Sequence, residues 1–283
     1  MTTVVRSITD LRAALSAERR AGRDIGFVPT MGYLHDGHRS LLRAAVAAND
    51  ATVVSVFVNP LQFAPTEDLD RYPRDLDGDV RMATDEGVRY VFAPTQSEMY
   101  PERMMTTVNV AGVSEPLEGA SRPSHFAGVA TVVTKLFSIV GPSRVYFGEK
   151  DFQQLAVIRR LVLDLSLPVE IVACPTVREP DGLAMSSRNV NLTPDARRAA
   201  PTLLRALHAG RDAIARGERD ARQVRQAMRA VVEQEPLIEL DYAEVVDASS
   251  FVIPSPLAGQ LRLLIAARLP SARLIDNIGA DAP

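Results

Sequence analysis

The chain of 283 residues has one cysteine, Cys174, and only two lysines, Lys135 and Lys150. A single cysteine forbids an internal disulfide and cannot build a cysteine-rich zinc site. No apolar run approaches the roughly 18–20 residues that span a bilayer. The N-terminal MTTVVRSITDLRAAL lacks the charged start and unbroken apolar core of a secretory leader. Neither sign of charge is in large excess. With 32 basic and 35 acidic residues the net charge is −3, so no overall basic field favours nucleic acid or an anionic membrane. Neither GxGxxG nor GxxxxGK[ST] occurs, which disfavours a dinucleotide dehydrogenase and a P-loop ATPase. The remaining expectation is a cytoplasmic globular protein. Its 46% hydrophobic and 24% charged residues exclude low-complexity disorder and suffice for two domains. Thirty of the 32 basic residues are arginine, so a lysine can mark a place where a compact cation is needed rather than a planar guanidinium.

The first part of the chain alternates strand and helix patterns. Helices are expected at 7–20, 38–49, 77–86, 128–140 and 152–165, with strands at 24–29, 52–58, 89–92, 144–147 and 169–173. Thr52 to Val58 is β-branched and apolar, like a strand covered on both faces. Repeated βα units imply an α/β fold with a doubly wound parallel sheet. The pattern changes after Pro175. Residues 194–235 are rich in Ala and Arg and read as two helices broken near Gly217. Three short strands follow, around 240–246, 261–266 and 273–275. That order suggests a smaller C-terminal α+β domain, with a hinge in Cys174–Pro180.

Four polar segments follow predicted strands, and in a parallel sheet such segments open on one edge. In PTMGYLHDGH (29–38) a strand gives way to a helix through a loop with two glycines. A helix N-terminus favours a phosphate, and His35 and His38 could both donate to its oxygens. A solvated loop and a zinc pair are the alternatives, and zinc would need a third protein ligand. In GEKDFQQ (148–154), Lys150 would meet phosphate oxygens, Asp151 could cap the helix, and Gln153 and Gln154 offer amides to a small polar substrate. MSSR (185–188) brings two hydroxyls and a guanidinium, a possible anion clamp or a plain surface turn. FVNPLQF (57–63) sends Asn59 and Gln62 to the same edge. Asp75, Asp77, Asp79 and Glu86 mimic a calcium loop, but Val80 stands where such a loop turns on glycine, so acidic residues at a helix N-terminus explain them better. No nucleophile–base pair for covalent hydrolysis is evident.

HDGH at 35–38 resembles the HxGH signature of nucleotidyltransferases, which have a Rossmann-like fold. With FVNPLQF, the following YPRD, EGASRPSHFAGVATVVTKLF, GEKDFQQL and MSSRNVNL, the chain resembles the pantoate–β-alanine ligase family over most of residues 25–192. Ser124 stands where the family pattern carries glycine. The resemblance implies condensation of pantoate with β-alanine through a pantoyl adenylate, using ATP with Mg²⁺ and releasing pyrophosphate and AMP. It also implies a homodimer, an ATP- and pantoate-binding domain at 1–176 and a lid domain at 177–283. By motif, Thr30, Met31, Gly32, Tyr33, Leu34, His35, Asp36 and Gly37 line the nucleotide. Gly148, Glu149, Lys150 and Asp151 join Met185, Ser186, Ser187 and Arg188 in holding it, with Val177 near the adenine. His35, His38, Lys150, Ser186, Ser187 and Arg188 are the candidate catalytic groups. Gln62, Gln154, Asn59 and Arg122 are candidates for substrate binding, and Gln62 would also reach β-alanine. No residue is assigned as a metal ligand. The rival readings are another HxGH enzyme with a phosphorylated acceptor, a tRNA-charging enzyme and a nucleotide-sensing module.

Overall fold

A computed structural model describes residues 1–63, 69 and 72–283. The chain forms two compact units, Met1–Glu149 with Gln153–Pro175, and Lys150–Phe152 with Thr176–Pro283.

The first unit runs β1 (Thr3–Val5), α1 (Ile8–Arg20), β2 (Ile25–Thr30), α2 (Asp36–Ala48), β3 (Ala51–Val56), α3 (Leu76–Asp85), β4 (Tyr90–Phe92), α4 (Gln96–Met99), α5 (Glu118–Ser121), α6 (His125–Val140), β5 (Ser143–Gly148), α7 (Phe152–Asp164, all but its first residue) and β6 (Val169–Cys174). Its six strands form one parallel sheet in the order β1-β4-β3-β2-β5-β6. Alternation along the strands explains their nearly unbroken apolar sequence. Val28 and Val54 join Leu41, Leu42 and Ala45 of α2 in one core cluster. Phe27 and Val53, which alternation turns to the other face, are buried too. From β2 the chain moves outward to β3, and from β5 it moves the other way to β6. The switch point therefore lies between β2 and β5, where ligands bind in open α/β sheets.

The second unit contains α8 (Pro194–Ala199), α9 (Thr202–Ala215), α10 (Ala221–Val232) and an antiparallel sheet of β7 (Glu239–Asp247), β8 (Gly259–Leu269) and β9 (Ala272–Ala282). Val224, Met228 and Val232 recur at the i, i+4, i+8 spacing of one helix face and pack with Leu207, Leu263 and Ile265. At the crossing of α9, a Cβ on Gly210 would lie 2.6 Å from Leu263 Cδ2 and 2.7 Å from Met228 Cγ, so a side chain there would displace two residues of this core.

Departures from the expected elements have local causes. The helix expected to begin at Pro194 is split in two at Ala200–Pro201, because Pro201 has no amide hydrogen to continue the ladder. Helix α2 starts at Asp36 rather than His38, since His35 caps it. Helix α6 starts at His125, and Gly128 lies inside it, not at its start. Strand β9 is eleven residues long where three were expected, because Asp276 and Asn277 interrupt its apolar pattern yet are buried and paired along β8. The short edge strand β1 carried no recognisable signal.

Candidate active site

Thr30 closes β2 and opens the loop. Its hydroxyl donates to Ser55 O at 2.6 Å and accepts from Gly32 N at 3.1 Å. Gly32 has φ +83, and a Cβ there would lie 2.8 Å from Val56 Cγ1 and 2.9 Å from Asp79 Oδ2, so glycine is required. Tyr33 is also left-handed, at φ +53. Asp79 of α3, only 3% exposed, holds this pair of turns: Tyr33 N donates to its Oδ2 at 3.0 Å and Leu34 N to its Oδ1 at 2.7 Å. Burial pushes the Asp79 carboxyl above its ordinary value against the pull of those two amides.

The clamped loop delivers His35 to the N-cap of α2. His35 Nδ1 accepts from Gly37 N at 3.1 Å, and His38 Nδ1 accepts from His35 N at 3.3 Å, a reciprocal capping box built from imidazoles. The rings lie 4.1 Å apart. With Nδ1 accepting, the proton of each neutral ring is on Nε2, the donor position. Two imidazole donors thus stand at a helix N-terminus beside the switch point, the side of the sheet where Gly148 and Glu149 also leave β5.

A corner of amides adjoins the loop. Asn59 is 1% exposed and spends its side chain internally. Nδ2 donates to Gln62 Oε1 and to Gly128 O, both at 3.2 Å, while Oδ1 accepts from Leu61 N at 3.3 Å and Tyr100 OH at 2.8 Å. Asn59 is therefore placed to aim Gln62, whose Nε2 lies 2.8 Å from Met31 Sδ and so joins this corner to the loop. Arg122 Nη2 at 3.3 Å and His125 Nδ1 at 3.0 Å meet the backbone carbonyl of Gln62. Gly128 has no room for a side chain, since its Cβ would lie 2.1 Å from Leu61 O. Burial pushes the Tyr100 phenol up, and Lys135 Nζ sits 5.4 Å from its ring centroid. Of the two candidate glutamines on α7, Gln153 is turned away from ligand duty. It is 3% exposed, donates to Val113 O at 2.9 Å and Pro116 O at 2.7 Å, and accepts from Glu118 N at 3.1 Å. Gln154 is half-buried.

The second unit groups the other candidates. Met185 N donates to Val177 O at 3.0 Å, and Arg178 bridges to Ala184, so Val177 and the MSSR segment lie together. Ser186 caps the 3₁₀ turn Ser187–Asn191 by accepting from Arg188 N at 3.2 Å, and Ser187 is buried. Lys150 is 20% exposed, with Nζ 3.3 Å from Asp151 Oδ1. Ser124 has φ −95, an ordinary right-handed conformation, so the departure from glycine places no strain on this loop.

Asp79, Tyr100, Lys135 and Gly128 had no assigned role. Asp79 was concealed within an acidic run that reads as a helix start, which it also is: Asp75 caps α3.

A doubly wound sheet with a histidine-capped helix at its switch point defines an α/β protein of the nucleotide-binding class. A model of the pantoate–β-alanine ligase family matches residues 3–279. A pantothenate synthetase of Caldicellulosiruptor bescii is 50% identical over 279 residues, 99% of each chain. The crystal structure of pantothenate synthetase from Thermus thermophilus superposes with a TM-score of 0.93 at 49% identity, covering 98% of this chain and 99% of that one. A pantoate–β-alanine ligase from Francisella tularensis, complexed with beta-gamma ATP and β-alanine, superposes with a TM-score of 0.82 at 32% identity, covering 98% and 97%. The chain belongs to the pantoate–β-alanine ligase family and is a ligase of pantothenate synthesis.

Proposed function

We propose that the chain condenses pantoate with β-alanine in two steps at the edge formed by the ends of β2, β3 and β5. A pantoate carboxylate oxygen attacks the α-phosphorus of ATP, and the bond to the leaving pyrophosphate breaks. The amine of β-alanine then attacks the acyl carbon of pantoyl adenylate, loses a proton, and expels AMP as the amide forms. The observation that carries this reading is the reciprocal cap of His35 and His38, which places two Nε2 donors at a helix N-terminus. Charge develops on phosphoryl oxygens during attack, so pre-aimed donors stabilise the transition state without a covalent enzyme intermediate.

In this reading Thr30 to Gly37, Gly148 to Asp151, Val177 and Met185 to Arg188 hold ATP, with Lys150 and Arg188 as its cations. Gln62 and Gln154 bind pantoate, while Asn59 and Arg122 act from behind by holding Gln62. Asp79 has both oxygens on amides and Asp151 lies against Lys150, so Mg²⁺ is proposed to arrive on the nucleotide, held by phosphate oxygens and water, and to neutralise phosphate charge there. We also propose a cytoplasmic homodimer. Support comes from β6, an edge strand, and from Leu163 and Leu165, exposed apolar residues just before it. No described helix is long and apolar enough to cross a membrane.

The test is pyrophosphate exchange into ATP with Mg²⁺ and pantoate, β-alanine being left out. Exchange that requires pantoate is the expected result. ATP binding with no pantoate-dependent exchange would overturn adenylation and favour a nucleotide sensor.

A further inference from the structure

Lys150, Asp151 and Phe152 follow β5 in the chain, yet they belong to the second compact unit. The contacts that hold them come from its antiparallel sheet. Asn277 Nδ2 on β9 donates to Lys150 O at 2.7 Å. The guanidinium of Arg262 on β8 lies 4.0 Å from the centroid of the Phe152 ring, and that ring stacks on Phe251 at 6.0 Å. Arg262 also donates Nε–H to Asn277 Oδ1 at 2.6 Å, so one residue fixes both Asn277 and the aromatic neighbour of Lys150.

The adjacent residue anchors the other cationic segment. Arg178 binds Asp276 with two bonds, at 2.7 and 2.9 Å, and donates to Gly182 O at 3.0 Å and Asn277 O at 3.3 Å. It thereby secures the turn 178–184 that leads into Met185–Arg188. Asp276 accepts in turn from Asn277 N at 2.7 Å. Asn277, 3% exposed, commits its buried amide to a loop carbonyl 127 residues away in the sequence. An isolated β9 would gain nothing from burying two polar side chains; their partners are the two segments that carry Lys150 and Arg188.

We propose that Asp276 and Asn277 form a positioning pair that sets Lys150 and the Met185–Arg188 turn in fixed register as one phosphate-gripping jaw. Asn277 acts through the Lys150 backbone and Asp276 through Arg178. The inference rests on the reading of Lys150 as a phosphate contact. A lysine has a long flexible stem, so its accuracy depends on where its backbone is held. An error of about 1 Å in such a group lowers turnover by roughly a hundredfold.

The test is a double-mutant cycle between Asn277→Asp and Lys150→Ala, read as pantoate-dependent pyrophosphate exchange and as the thermal midpoint. Asn277→Asp keeps the volume and still accepts from Arg262, but sets a carboxylate oxygen against the Lys150 carbonyl. In the enzyme with Lys150, kcat for exchange should fall by about tenfold or more, while the midpoint should drop equally with and without Lys150, because a carboxylate buried against a carbonyl costs stability whatever the side chain at 150. In Lys150→Ala the same change should cost the exchange rate almost nothing, because residues acting as one unit are not additive. Equal losses of exchange in both backgrounds, or full activity of Asn277→Asp, would overturn the proposal. So would an exchange rate unchanged by Lys150→Ala, since nothing would then pass through Lys150. If Asn277→Asp does not fold, Arg262→Lys serves, with a smaller loss that must likewise vanish without Lys150. If the parent binds ATP but shows no pantoate-dependent exchange, adenylation has failed; the same cycle read in the Kd for ATP then decides the jaw, coupling supporting it and additivity overturning it.

Discussion

The loop after β2 and the segment after β5 present candidate phosphate contacts at neighbouring strand ends, but they are held in opposite ways. His35 and His38 are set by bonds within three residues of themselves, and Asp79 clamps the turn that leads to them. Lys150 is set by Asn277, from the far end of the chain. The first arrangement is a local motif whose geometry follows from helix capping. The second depends on tertiary structure, and the lysine itself supplies only charge. A change near the loop should therefore act on aim and local stability together, while a change at Lys150 should act on chemistry alone.

The largest effect should come from Lys150. Lys150→Ala is expected to lower exchange by about 10²–10³-fold, as for loss of a transition-state charge contact, with the thermal midpoint unchanged. Lys150→Arg sharpens the contrast, because a planar fork cannot reproduce a compact ammonium on the same backbone. It should recover only a small part of the lost rate, although thirty arginines serve elsewhere in this chain. Full activity of Lys150→Arg would make the rarity of lysine here a matter of composition only.

A change at Asp79 comes next. Asp79→Asn leaves one acceptor for two amide hydrogens and points an NH₂ at the other. The expected loss is about 10–100-fold in kcat/KM with roughly 1–3 kcal/mol of stability. Both losses should appear, in contrast to Lys150. The sign with pH is also defined. Burial, with Asp75 nearby, raises this carboxyl above the ordinary 3.8, so the folded chain binds its proton more tightly than the unfolded chain does. Acid therefore favours the fold through this group, while a protonated Asp79 loses one of its amide bonds. Activity should decline on the acid side before the fold does, and Asp79→Asn should lack that decline. A rate that simply follows the folded fraction would reduce Asp79 to a stabilising residue.

These two regions also show what the amino-acid pattern makes visible. The parallel sheet was legible because strands covered on both faces are apolar throughout, and the HxGH loop was legible because capping requires side chains at fixed short spacings. Spacing alone left Gln153 and Gln154 equivalent, and only the family motif singled out Gln154, since adjacent amides on a helix start look alike until the 113–118 loop claims one of them. Asp276 and Asn277 had the reverse problem. They break an apolar alternation, which shortened the expected β9, and two of the groups that satisfy them, Arg178 and the Lys150 carbonyl, lie 98 and 127 residues away in sequence. Long-range pairing of buried polar groups leaves no periodic signal.

The smallest expected effect separates acid loss of aim from acid loss of fold. Among the described residues, Glu18 on α1 is the other buried carboxylate of the first unit with a clear shift, and it is held by cations and a phenol instead of amides. Burial pushes it up, but hydrogen bonds from Tyr90, Arg23 and Arg89 outweigh that, and its carboxyl lies below the ordinary 4.5. The sign is thus opposite to that of Asp79. Its stabilising contribution is complete above 4.5 and is lost as pH falls from there through the lowered value. Glu18→Gln should flatten the stability curve in that acid window and leave exchange kinetics near neutrality unchanged, because Glu18 joins α1 to the start of β4, remote from the ends where the loops emerge. Unfolding at a series of pH values, with exchange rates on the same samples, distinguishes the outcomes. If Glu18→Gln also moves the acid decline in activity, that decline reports unfolding, and the contrast between a clamped loop and a remotely held lysine must rest on the Lys150 variants alone.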